Sequence, residues 1–135
     1  MNKTEGRSSF SYTVKTQKTI NQAVEDIAAG LKEVGFGVVS TLNFKEMLQK
    51  KGLDLNTEYR LLEVCSPPAA KQVLESNPET GLLLPCPIAV YQNNNENWIS
   101  LARPTSLLAN IDDRQFDKFG KEMEQKLIQV IERVK

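Results

Sequence analysis

Histidine is absent from all 135 residues. With it go Ser-His-Asp and Cys-His catalysis and every histidine metal ligand, leaving carboxylate, thiol, lysine, tyrosine and backbone groups to carry any chemistry. Cysteine is scarce. Cys65 and Cys86 are the only two, and with no sign of export they read as reduced thiols rather than a structural disulfide. Net charge is missing too, because seventeen Lys and Arg offset seventeen Asp and Glu. Binding to nucleic acid or to an anionic membrane surface normally requires a basic footprint, so neither partner is expected. No apolar run near the start suits a signal peptide and none elsewhere approaches a membrane span, so the expected location is the cytoplasm. GxGxxG and P-loop patterns are lacking, which argues against the common nucleotide sites. Internal repeats and linkers are lacking as well, so residues 1–135 are expected to form one domain.

Most of the organisation is concentrated between Glu58 and Gln92, a stretch that holds both cysteines and five of the six prolines. Before it, Phe10, Tyr12 and Val14 alternate with polar neighbours over Ser9 to Lys15, the period of a strand with one buried face. Thr19 with Gln22 offers a helix start, and Ile20, Val24, Ile27, Leu31 and Val34 follow at helical spacing until Gly35. The β-branched run Phe36 to Leu42 predicts a second strand, and Asn43 with Glu46 opens a short helix that Gly52 closes. In a third strand, Glu58 to Cys65, Tyr59, Leu61, Glu63 and Cys65 share one face while Arg60, Leu62 and Val64 share the other. Both faces carry apolar residues, so the pattern alone does not choose the core side.

Ser66-Pro67 starts a helix, since the hydroxyl can cap free amides and proline at the first position gives up a donor that has no partner. Asn77-Pro78 ends it near Ser76. Pro85-Cys86-Pro87 limits ladder bonding ahead of a strand at Ile88 to Gln92, which the polar run Asn93 to Asn97 joins to Trp98 to Ala102 as a hairpin. Residues 104–111 read as a connection with room for one helical turn, and a final helix from near Asp112 carries Phe116, Phe119, Met123, Leu127, Val130 and Val134 on one stripe. Gly120 within that helix costs about 1 kcal/mol relative to alanine, so a close backbone approach is expected there. The order β-α-β-α-β-α-β-β-α predicts an α+β fold, a curved and largely antiparallel five-stranded sheet with the two long helices on one face.

Several stretches together resemble one family, the domain of unknown function 302. They are Gly35-Phe36-Gly37-Val38, Tyr59-Arg60-Leu61-Leu62, Cys65-Ser66-Pro67-Pro68-Ala69, and Gly81-Leu82-Leu83-Leu84-Pro85-Cys86 leading into Val90-Tyr91. The resemblance implies a helix-grip arrangement of the kind seen in TATA-binding protein, a homodimer, and no established activity. Glu63 departs from the small residue that the resemblance implies at its position.

Cys65, Ser66, Pro67, Cys86, Arg60 and Glu63 are the candidate ligand-binding residues. A thiol at a helix start has its thiolate favoured by free amides and the dipole. The competing and preferred reading is that both cysteines are small apolar fillers, since free cysteine is among the most buried residue types. Twenty residues separate them, neither a redox CxxC nor a complete zinc motif, so no metal, cofactor or catalytic residue is assigned. Free amides beside Ser66 would suit a carboxylate or phosphate, although a self-capped helix needs no ligand. Arg60 and Arg103 are further anion candidates, and Trp98 reads as an interface, stacking or core residue. The expected function is a non-catalytic binding or interaction domain with an unknown small ligand. Its rival is a redox sensor or metal-thiolate binder using Cys65 and Cys86.

Overall fold

A computed structural model describes residues 10–111 and 114–135. Its elements in chain order are β1 (Ser11–Thr16), α1 (Ile20–Glu33), β2 (Gly37–Asn43), α2 (Phe44–Gln49), β3 (Tyr59–Cys65), α3 (Pro67–Ser76), a 3-10 segment (Pro78–Leu83), β4 (Cys86–Asn93), β5 (Glu96–Ala102), α4 (Pro104–Leu108) and α5 (Gln115–Val134). One feature goes beyond the expected order. The Gly81 to Leu84 region is partly 3-10, whereas the helical turn expected in the connection after β5 is the short helix α4. The expected strand residue Ser9 and the start of the last helix at Asp112 lie outside the described residues.

All five strands pair antiparallel in the order β1-β5-β4-β3-β2. The two strands nearest the N-terminus therefore occupy opposite edges, and α1 carries the chain from one edge to the other. Several starts and stops follow local chemistry. The Gln22 N–H donates to Thr19 Oγ1 at 3.1 Å, and the Glu46 N–H donates to Asn43 Oδ1 at 3.1 Å. Gly35 and Gly52 end α1 and α2 at φ of 85° and 76°, a region that glycine enters without steric cost. The hairpin between β4 and β5 turns on Asn94 and Asn95, both left-handed with φ of 55° and 64°.

One face of the sheet is the core. Val14, Leu62, Val64, Ile88, Val90, Ile99 and Leu101 point to it, each no more than 1% exposed, and they meet Ile27 and Leu31 of α1 and Leu127, Val130 and Ile131 of α5. Leu62 and Val64 thereby place the even face of β3 inward. The α1–α5 contact is close, since a Cβ on Gly30 would lie 3.0 Å from Val130 Cγ1. A second, smaller cluster of Val73, Leu108 and Phe116 joins α3, α4 and α5. The expected approach at Gly120 lies here, because a Cβ on it would come 3.2 Å from Leu108 Cδ1 and 3.6 Å from Thr105 Cα.

Strand β4 starts at Cys86 and so includes Pro87, closer to the two prolines than the sequence suggests. Pro87 lies opposite Glu63 of β3, while pairing with β5 begins only at Ile88. The missing proline donor is accommodated at the start of the strand, where a ladder tolerates it.

Candidate functional site

The six candidate residues do not form one cluster. Cys65, Ser66 and Cys86 come together, because Cys65 ends β3, Cys86 begins β4, and the antiparallel register sets Val64 opposite Cys86. All three line a narrow cavity with Ala69, Leu84, Phe119 and Met123. Pro67 opens α3 on the exposed side. Arg60 lies five residues before Cys65, roughly 16 Å along an extended strand. It donates to Asn21 Oδ1 at 3.0 Å and to Glu58 Oε1 at 3.2 Å. Glu63 is half-buried opposite Ser40 and Pro87, away from the core face. The other arginine candidate, Arg103, is committed to the buried carboxylate of Glu124 at 3.1 Å.

Burial raises both thiols above their ordinary range. Cys65 is half-buried and its pKa is raised by desolvation. Cys86 is buried, and desolvation together with the nearby Cys65 pushes it up to about 11. The neutral thiol is the favoured form of each, which is the opposite of what a reactive or metal-binding thiolate needs. Among the described residues no group of three or more Cys, Asp or Glu is placed to hold a metal ion.

A wider cleft of about 390 Å³ opens beside the start of α3. Phe36, Phe119 and Met123 give it an apolar lining, and Ser66, Gln72, Glu122 and Lys126 contribute polar groups. Ser66 makes no side-chain capping bond to α3, and Pro67 and Pro68 remove the first two amide donors. The helix end is therefore not self-capped, contrary to one sequence expectation. Glu122 and Lys126 are not legible as site residues in the sequence. They stand on the polar stripe of α5, where a charged pair ordinarily means solvent.

The second feature is the sheet face away from α1 and α5. The register aligns Tyr59 of β3 with Tyr91 of β4, Tyr91 with Trp98 of β5, and Trp98 with Lys15 of β1. Tyr59 stacks on Tyr91 with ring centroids 5.2 Å apart, Phe44 of α2 meets Tyr59 edge-on at 5.5 Å, and Lys15 Nζ lies 6.0 Å from the Trp98 ring. An aromatic row thus runs across three strands. Burial, together with Tyr91, raises the Tyr59 pKa. Beside the row, Tyr91 OH and Ser100 Oγ lie 2.7 Å apart, Ser100 Oγ and Thr13 Oγ1 2.8 Å, and Thr13 Oγ1 and Ser11 Oγ 3.2 Å, making a chain of four hydroxyls. Among the described residues, α2 is the one helix packed on this side, and it leaves an apolar hollow of about 320 Å³ between Phe44, Leu48, Leu55, Tyr59 and Leu61. No helix among the described residues is long and apolar enough to cross a membrane.

These features define a small α+β protein with a five-stranded antiparallel sheet and helices concentrated on one side. The family model described as "Domain of unknown function DUF302" matches residues 12–134, and the chain belongs to that family. It is also similar to a solved structure, an uncharacterized conserved protein DUF302 from Bacillus stearothermophilus, at 35% sequence identity and a TM-score of 0.89. That match covers 95% of this chain and 100% of the other. No curated protein matches the sequence.

Proposed function

We propose that the protein is a non-catalytic interaction domain, one folded unit of residues 1–135, that acts in the cytoplasm as a homodimer joined through its aromatic sheet face. The observation that carries this reading is the Tyr59–Tyr91–Trp98 row, half-buried and uncovered by α1 or α5. The Tyr59 ring is already stacked on Tyr91 and in T-shaped contact with Phe44, so the surface offers edges and flanking aliphatic groups to a second apolar surface rather than an open stacking platform. Five strands spaced about 4.8 Å apart and about 20 Å long project roughly 400–500 Å², and α2 adds a ledge. Accessible area exceeds projected area, which brings the face toward the ~800 Å² per partner of a standard interface. Lys15 and Glu96 stand at one margin of this face, 3.3 Å apart, so a twofold copy meets charges of both signs. Packing of α1 and α5 together on the other face supports a helix-grip description. The raised thiol pKa values count against the redox and metal-thiolate alternative.

Sedimentation velocity at micromolar concentration tests the dimer. The expected species is twice the 15.2 kDa of one chain, and Tyr91→Arg should yield a monomer with unchanged far-UV circular dichroism. A wild-type monomer would sink self-association, whereas a Tyr91→Arg dimer would move the interface elsewhere.

A further inference from the structure

We propose that the cleft beside the start of α3 binds a free apolar amino acid, held by both of its charges. This site is distinct from the aromatic sheet face and does not depend on self-association. Its volume, about 390 Å³, falls in the range of roughly 300–1,000 Å³ typical of small-molecule sites. The lining combines an apolar wall, Phe36, Phe119 and Met123, with one group of each charge, Glu122 and Lys126.

Glu122 and Lys126 stand four residues apart on α5, in the order that favours a helical ion pair. No ion pair or hydrogen bond engages the side chain of either one among the described residues, so both charged groups remain available to a ligand. Ser66 is likewise uncommitted to its own helix, and Ala69, the first residue of α3 after the two prolines, supplies a backbone N–H beside it. A ligand carboxylate is therefore met by Lys126, the Ser66 hydroxyl and the positive end of α3. A ligand ammonium is met by Glu122. The apolar side chain lies along Phe119 and Met123. A simple anion would face Glu122 without compensation, and a simple cation would face Lys126 and the helix start. Opposite charges on a short backbone with an apolar tail satisfy all three parts of the lining.

Titration of the ¹⁵N-labelled protein with L-phenylalanine, L-leucine and L-methionine tests the assignment against 3-phenylpropionate, which lacks the ammonium, and phenethylamine, which lacks the carboxylate. The expected result is saturable shifts at Gly35, Ala69 and Phe119 with at least one amino acid, and binding about tenfold weaker for each singly charged analogue. Glu122→Gln should weaken the amino acid about tenfold without weakening 3-phenylpropionate, and Lys126→Gln should do the same relative to phenethylamine. Both side chains are exposed, so the variants should fold. Equal or tighter binding of either analogue would overturn the two-charge recognition. Shifts elsewhere, or none up to about 10 mM of any probe, would overturn the site.

Discussion

Glu124 is a charged side chain held inside the protein, 7% exposed. Burial alone would raise its pKa, but it accepts bonds from the Thr105 hydroxyl at 2.6 Å, the Thr105 N–H at 3.0 Å and Arg103 Nη2 at 3.1 Å. Together these bonds outweigh the desolvation and hold the carboxyl below its ordinary value. A folded-state pKa below the unfolded one stabilises the protein above the unfolded pKa, and the contribution is lost as pH falls through the folded value. Glu124→Gln should therefore cost about 2–3 kcal/mol near neutral pH and less below about pH 4. Urea unfolding of both proteins at the two pH values checks this, and an equal loss at both would exclude a carboxylate-specific effect. The thiols make a second prediction at the same scale. Because burial raises both and puts Cys86 at about 11, neither should react with a disulfide reagent near pH 8 at the rate of a free thiol until the protein unfolds. Fast labelling of the native protein would contradict that burial.

The Asn94–Asn95 turn ties β4 to β5 with both residues left-handed. Glycine reaches that region without a Cβ penalty, so Asn95→Gly should change stability only slightly, whereas Asn94→Val should cost about 1–2 kcal/mol. Thermal unfolding of the two variants separates these outcomes. Gly120 adds a contrast: valine there would press on Leu108 and the Thr105 backbone, and a loss of about 2 kcal/mol or more is expected from crowding. Elements with a local cause were readable from the sequence. Thr19 and Asn43 cap α1 and α2, and the α5 stripe at three- and four-residue spacing faces the core. The face of β3 was not readable, and the reason is physical. Tyr59 and Leu61 line the hollow under α2 while Leu62 and Val64 enter the core, so both sides of one strand are apolar. The cleft was half legible in the same way. Ser66 announces a helix start, but Glu122 and Lys126 reach it from α5, more than fifty positions later, and no local pattern encodes that meeting.

For the whole molecule, the core depends on the last turns of the chain. Leu127, Val130 and Ile131 are fully buried against the sheet and α1. Ending the chain after Gln125 removes all three, so the shortened protein should lack cooperative thermal unfolding by circular dichroism. A native-like transition in that variant would mean that α5 only covers a core complete without it. The sheet order has a different consequence, for synthesis. β1 pairs only with β5, and the partners run from Thr16 with Asn97 to Ser11 with Ala102. During synthesis β1 must therefore wait for β5, and the intervening chain closes a long loop before any of the bonds between them form. Until then a nascent chain exposes two unsatisfied strand edges to its surroundings, a period in which chaperone engagement or pairing with another emerging copy competes with closure.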